Sequence, residues 1–387
     1  MKILLTSRSG QLGGLELRLA DEVRFLNRLG NDVTLAVNQF DGLDLWFTTL
    51  KNENLNTKVW NVPPFLEKWR FRKLNHIIAK TIHLPWLSQV KPNLIHVAFA
   101  WTETGRSHLW LAHKKNIPAI VSVHNAFSPW SPPTKWHERL TRDAFSTVKG
   151  IYGVSQSALD NFISIYERFI PNGTKVEVIH NFVDTNRFHP SNERRINARR
   201  LLNISDNSLV LGSIGRLDSQ KNPHYILDCF LEVRKEFPNC YLVFIGQGRL
   251  ESEIKKRIEA EGINTFVRFT GFQKNIEEII PALDLHMLLS IREGFGIATV
   301  EAMSCGIPVV GTNVPGTKDI LQQSKAGILV PVGDSQLASK SIISLLSSTD
   351  KLKTMSLTAR VEATEKFSKE LWEVRLTKFY NGVIESI

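Results

Sequence analysis

The run Leu285-His286-Met287-Leu288-Leu289-Ser290-Ile291-Arg292-Glu293-Gly294-Phe295-Gly296-Ile297-Ala298-Thr299-Val300-Glu301-Ala302-Met303-Ser304-Cys305-Gly306-Ile307-Pro308-Val309-Val310-Gly311 holds three elements in sequence. Residues 285–289 are a short apolar strand. A glycine-containing loop opens a helix near Ile297, and Pro308 to Gly311 is a second strand. The loop presents the backbone N–H groups of a helix start and the positive end of its dipole, which suits a phosphate. Glu293 lies on the loop and Glu301 about one turn inside the helix. Two carboxylates, which only accept hydrogen bonds, suit vicinal hydroxyls of a ribose or hexose. A carboxylate beside a pyrophosphate is repelled, so both are expected to point away from it.

The same alternation runs outward from this stretch. Lys2 to Thr6 is a strand, Gly10, Gly13 and Gly14 a loop, and Leu15, Leu19, Val23, Leu26 and Leu29 mark a helix stopped by Gly30. Asp32 to Val37 follows as a β-branched strand, completing a βαβ unit. Further strands are read at 94–98, 119–124, 150–155 and 175–180. The turn-rich stretch 184–190 and a solvated charged helix at 193–200 interrupt the pattern. It then restarts with strands at 209–215, 241–246 and 267–269 and a helix at 225–237. Buried strands alternating with helices predict parallel sheets covered on both faces. The expectation is two α/β domains with a ligand cleft at the carboxyl ends of their strands.

Composition agrees with that of a globular protein: 387 residues, 42% hydrophobic, 22% charged. The apolar runs are too short to span a bilayer. Arg8 falls where a signal peptide needs its apolar stretch, so a cytoplasmic chain is expected. Cys229, Cys240 and Cys305 have no metal-ligand spacing and read as small buried side chains. The net charge of +10 is uneven: residues 1–190 hold 23 Lys/Arg and 15 Asp/Glu (+8), residues 191–387 hold 25 and 23 (+2). A basic half points to an anionic partner. No nucleic-acid motif accompanies it, which leaves an anionic membrane face or an acidic substrate.

Glu293 and Glu301, seven residues apart, match the Glu-x7-Glu signature of retaining glycosyltransferases, and their surroundings resemble glycosyltransferase family 4. Gly13-Gly14-Leu15-Glu16, Ser122-Val123-His124-Asn125, Tyr152 to Ser157, Ile179 to Asp184, Gly215-Arg216-Leu217 with Lys221-Asn222, Gly246-Gln247-Gly248, Gly271-Phe272 and the final helix are similar to further family landmarks, in order. The resemblance implies the GT-B fold: a Rossmann-like acceptor-side domain over 1–186, a nucleotide-sugar domain over 187–365, and a C-terminal helix, 366–387, returning to the first domain. It implies transfer of a hexose from a nucleoside-diphosphate sugar, UDP-sugar first and GDP-mannose second. The acceptor would be a hydroxyl of a glycan or lipid-linked glycan in surface polysaccharide synthesis.

Within that resemblance, Glu293, His124, Arg216 and Lys221 are the catalytic candidates. Gly13, Gly14, Gly294, Phe295, Gly296, Ile297 and Glu301 are the donor-binding ones. Arg216 and Lys221 would neutralise the diphosphate leaving group, the work a metal does elsewhere. No Asp-x-Asp sequence is present, so neither a metal nor a cofactor is expected. His124 would meet the donor hexose, or stabilise positive charge at the reacting carbon; as a lone strand-end histidine it reads equally as structural. Gly13 and Gly14 let the backbone approach the donor, or form a plain turn.

Lys68 to Lys80, with Trp86 beyond, reads either as a basic amphipathic helix on an anionic membrane or as a surface helix with its apolar face in the core. Phe127 to Trp136 is either an acceptor-shaping loop or a rigid surface loop. A nicotinamide dehydrogenase is disfavoured, since neither glycine loop follows G-x-G-x-x-G. An epimerase of the same fold and a non-catalytic nucleotide-sugar-binding subunit stay open as alternatives.

Overall fold

The computed structural model describes residues 1–67, 71–125 and 135–387. They form two compact units, one of Met1–His180 with Glu373–Ile387, the other of Asn181–Trp372. The division falls at 180/181, where the notable change is from strand-and-helix packing to the turn-rich stretch; the last helix, Lys369–Ile384, starts in the second unit and continues into the first.

Among the described residues, the first unit has seven strands: β1 (Lys2–Ser7), β2 (Asp32–Val37), β3 (Asn56–Val59), β4 (Leu94–Phe99), β5 (Ala119–Val123), β6 (Val148–Gly153) and β7 (Lys175–Val178). They make one parallel sheet in the order β3-β2-β1-β4-β5-β6-β7. β1, β4 and β5 are apolar on both faces because helices cover both. β3, the polar edge strand Asn-Thr-Lys-Val, was not expected. Chain order reverses between β1 and β4, so their carboxyl ends open a crevice, the usual ligand position in such sheets.

The second unit carries β8 (Val210–Ile214), β9 (Tyr241–Ile245), β10 (Val267–Phe269), β11 (Leu285–Leu288), β12 (Val309–Thr312) and β13 (Gly327–Val330), parallel in the order β10-β9-β8-β11-β12-β13. The reversal here lies between β8 and β11, paired at Leu211↔Leu285 and Gly212↔His286. The loops that leave these two strands carry Arg216 and Lys221 on one side and Glu293 to Gly296 on the other.

Two expectations need correction. The charged helix, Asn192–Leu201, is not wholly solvated. Arg199 is fully buried and donates to the carbonyls of Ala282, Ser205, Asp206 and Ser208 and to Asp284. Asp284 also accepts from Arg195 and from the Val210 N–H, so these charges fasten the helix to the sheet. Trp86 is not a free anchor: it is half-buried and its ring lies 4.8 Å from that of Trp60. The three cysteines are buried, as expected, and burial pushes each thiol up to about 12.

Candidate active site

In the second unit the two loops at the reversal are stitched together. Ile291 N–H donates to the Gln220 carbonyl at 2.9 Å, and the Gln220 side chain donates to the Arg292 carbonyl at 3.2 Å. Asp218 shapes the first loop from within. Its Oδ1 accepts from the N–H groups of Gln220 (3.0 Å) and Lys221 (3.1 Å), turning the chain so that Lys221 faces the second loop. Lys221 Nζ then meets Glu293 Oε2 at 2.6 Å, and Ser290 Oγ reaches the same oxygen at 3.4 Å. Both partners are mostly shielded, so this pair is less screened than a surface salt bridge. Glu293 therefore does not simply point away from a phosphate position. The ammonium sits against its carboxylate and offsets the charge a phosphate would meet. Arg216 is more exposed, its Nε 3.3 Å from Asp218 Oδ2.

The second loop is held from behind. Thr312 Oγ1 donates to the Ser290 carbonyl at 2.5 Å. Gly316, at φ +79°, abuts the loop so closely that a Cβ there would lie 2.7 Å from the Glu293 carbonyl oxygen. Gly296 caps the helix Ile297–Ser304 in the left-handed region, φ +90°, which a side chain would strain. The first N–H groups of this helix, from Ile297 on, point out of its start. Phe295 departs from the expectation of a ligand-facing side chain: it is buried, edge-on to Phe367 at 5.7 Å. Only its backbone is offered to a ligand.

Glu301, fifth in that helix, is half-buried. Burial raises its carboxyl to about 7, Glu277 adds to the rise, and Arg187 opposes it. Arg187 is itself held by Glu277, Nη2 to Oε2 2.7 Å. The sequence reading missed Asp218, Gln220, Ser290, Arg187 and Glu277. Asp218, one turn before Lys221, carried the only local signal, that of an aspartate opening a turn.

In the first unit, Gly13 caps the helix Gly14–Arg28 with an extended φ of −159°, open to any residue. An added Cβ would meet only Glu16 Oε2, at 3.4 Å. The local fold does not demand glycine there, in contrast to Gly296 and Gly316. His124 follows β5, and its Nε2 lies 2.9 Å from Ser122 Oγ. Burial and the nearby Arg18 lower its pKa to about 3, so the ring is neutral at physiological pH. Ser122 Oγ is also 2.7 Å from His96 Nε2, and His96 Nδ1 is 3.1 Å from Glu22 Oε1. Tyr152 and Tyr380 donate to the two oxygens of Glu22, each at 2.8 Å. Burial would raise Glu22, but His96, Arg18 and the Tyr152 hydroxyl more than offset that and hold it at about 2. None of these partners beyond His124 and Ser122 was singled out. Glu22 did carry a signal, a carboxylate on the apolar face between Leu19 and Leu26. His180, left unassigned, has Nδ1 3.1 Å from the Val154 carbonyl oxygen. The stretch Phe127 to Thr134 lies outside the described residues.

Two families match the chain, Glycosyltransferase Family 4 over residues 12–187 and Glycosyl transferases group 1 over 194–362. The chain is 27% identical over 225 residues, 57% of its length and 58% of the relative's, to N-acetyl-alpha-D-glucosaminyl L-malate synthase of Bacillus anthracis. It is 28% identical over 178 residues, 45% and 46% of the two lengths, to UDP-Gal:alpha-D-GlcNAc-diphosphoundecaprenol alpha-1,3-galactosyltransferase of Escherichia coli. The chain thus spans about half the length of the curated relatives it matches. Among solved structures it is similar to Anabaena HepE in complex with UDP, with a TM-score of 0.81 at 22% identity, covering 99% of this chain and 100% of that one. HepE has also been solved with UDP-glucose, where the TM-score is 0.78 at 22% identity, over 99% of this chain and all of that one. That likeness shows a shared fold, two Rossmann-like domains of GT-B type. With family matches laid end to end over both units, the chain belongs to glycosyltransferase family 4, its second half being a group 1 glycosyl transferase domain.

Proposed function

We propose that the protein is a retaining glycosyltransferase that moves a hexose from a nucleoside-diphosphate sugar to a hydroxyl of a glycan or lipid-linked acceptor. The observation that carries this is the Lys221–Glu293 pair at the reversal of the second sheet, beside the helix start at Gly296. The ammonium and the helix N–H groups suit a diphosphate, while the carboxylate suits a sugar hydroxyl. Arg216 adds a second cation that can follow charge onto the departing phosphate, so no metal is required for leaving-group stabilisation. Glu301 would accept from ribose hydroxyls. In a front-face displacement the acceptor oxygen bonds to the anomeric carbon as the carbon–phosphate oxygen bond breaks. The acceptor proton passes to the departing phosphate oxygen. UDP is the first choice of carrier, supported by the HepE complexes, and GDP-mannose the second. A lipid-linked glycan acceptor is supported by the galactosyltransferase relative, whose name specifies one.

The test is calorimetry with UDP, GDP and ADP, followed by turnover of the matching sugars with EDTA present. UDP binding and EDTA-resistant turnover are expected. Failure of every nucleoside diphosphate to bind overturns the reading. Activity lost on chelation and restored by Mg²⁺ overturns the metal-free leaving-group role.

The reading includes docking to the cytoplasmic membrane face. Among the described residues no helix is long and apolar enough to cross a membrane. The helical stretch Arg72–Val90, which includes a π-helical turn at Ala79–His83, buries Ala79, His83 and Leu87. Phe71, Leu74, Ile77 and Ile82 are nonetheless 55–64% exposed, with Lys73 and Lys80 exposed among them. An exposed apolar stripe edged by lysines suits the boundary of an anionic bilayer, each lysine contributing about 1 kcal/mol. Sedimentation with phosphatidylglycerol-containing vesicles should carry down the parent at low salt. Lys73→Glu/Lys80→Glu should stay in the supernatant, and 1 M salt should release part of the parent. Equal soluble recovery of parent and variant at low salt rejects docking by this face.

A further inference from the structure

The chain of side chains behind His124 fixes where its protons lie. It runs through β4, β5 and the last helix, all within the first unit, and every link is buried or half-buried. Tyr152 and Tyr380 give their hydroxyl protons to Glu22, so the Tyr380 oxygen is left as an acceptor. His96 Nδ1 faces only acceptors, the Tyr380 oxygen at 2.9 Å and Glu22 Oε1 at 3.1 Å, and must carry a proton. The Glu22 charge already has the buried Arg18 guanidinium as counterion. A neutral His96, protonated at Nδ1, therefore offers its Nε2 lone pair to Ser122.

Ser122 has one hydrogen to give. The Tyr152 oxygen also lies near it, but a lone pair on His96 Nε2 at 2.7 Å leaves the serine proton no better destination. Having donated to His96, Ser122 Oγ accepts from its other neighbour, His124 Nε2–H, at 2.9 Å. We propose that this relay, Glu22 to His96 to Ser122, locks His124 in the Nε2–H tautomer, so that Nδ1 is a standing acceptor for one unmodified hydroxyl of the donor sugar. Glu22, His96, Ser122 and Tyr380 are positioning residues in this account. They act through His124 and touch no substrate. A neutral acceptor ring also places no positive charge beside an anomeric centre that becomes electron-poor during transfer. The proposal rests on the donor-side reading of His124, but its direct readout does not.

The test is ¹⁵N NMR of the full chain labelled at histidine, with the His124 resonances identified by their loss in His124→Gln. The expected result is an unprotonated Nδ1 and a protonated Nε2 for His124 at pH 7.5. Ser122→Ala should mix the two tautomers and lower donor turnover about tenfold. Tyr380→Phe, which leaves Ser122 in place, should keep the tautomer and turn over faster than Ser122→Ala. A charged His96 would reverse the bonds downstream and put the proton on His124 Nδ1. That result overturns the proposal, as does an unchanged tautomer in Ser122→Ala. If no nucleotide sugar is turned over at all, the glycosyltransferase reading fails while the tautomer measurement still decides this one.

Discussion

Lys221→Ala is expected to lower donor turnover by about 10²-fold or more, the usual cost of removing a group that meets charge developing on a leaving group. The structure adds a second consequence. Glu293 is buried and its carboxylate depends on the Lys221 ammonium at 2.6 Å, with Ser290 at 3.4 Å the other printed donor. Without the lysine, Glu293 must either protonate or stay charged with poor compensation, costing about 1–3 kcal/mol of stability. The double variant Lys221→Ala/Glu293→Gln removes that unmatched charge. It should recover the melting temperature of the parent and none of the activity. Arg216→Ala should also slow transfer by about 10²-fold. Its side chain is exposed and bonded weakly to Asp218, so its melting temperature should match the parent. Kinetics and thermal melts of the four proteins check this. A Lys221→Ala enzyme with full turnover would return the pair to a structural salt bridge.

Much of the scaffold was legible because it is local. Asp32 to Val37 and Val267 to Phe269 were read residue for residue, as β-branched or apolar runs bounded by turns. β3 was missed because an edge strand needs no apolar faces, and Asn56-Thr57-Lys58-Val59 shows none. β13 was missed because Gly327 opens a run of only four residues. The glycine loop at 293–296 was legible for the same local reason, since loop, cap and carboxylate lie in one stretch. What joins the site is not local. Lys221 and Glu293 are 72 residues apart, and Glu22 and Tyr380 are 358 apart. Pairs of that kind exist only once the strand order has brought β8 beside β11, or the last helix against the first sheet. Arg199 makes the same point from the other side: a helix of mostly charged residues reads as solvated until Asp284 gives one arginine a buried partner.

Glu301→Gln is expected to stabilise the protein and weaken donor binding together. Burial raises the Glu301 carboxyl from its ordinary 4.5 to about 7. A carboxyl raised on folding favours the folded state fully while it is protonated in both states, below pH 4.5. That advantage is lost progressively as pH rises from 4.5 to about 7, where the unfolded chain is ionised and the folded one is not, and it stays lost above. The limiting value is about 3 kcal/mol, and partial exposure cuts this to about 1–2 kcal/mol. Glutamine does not ionise, so Glu301→Gln should melt a few degrees above the parent at pH 8 and level with it at pH 4. Binding responds in the opposite sense. A carboxylate can accept from two ribose hydroxyls, whereas glutamine offers one acceptor and two donors. UDP affinity at pH 8 should fall about 10- to 100-fold, since charge-assisted hydrogen bonds of this kind contribute about 1.5–3 kcal/mol each. The parent should bind UDP more tightly as pH rises towards 7 and no better above it, because only the ionised form serves the ribose; the glutamine variant should lack this slope. Calorimetry across pH 5 to 8, with melts on the same samples, checks both halves. A variant that binds UDP as the parent does, with the same pH slope, would remove Glu301 from the donor site whatever its effect on stability.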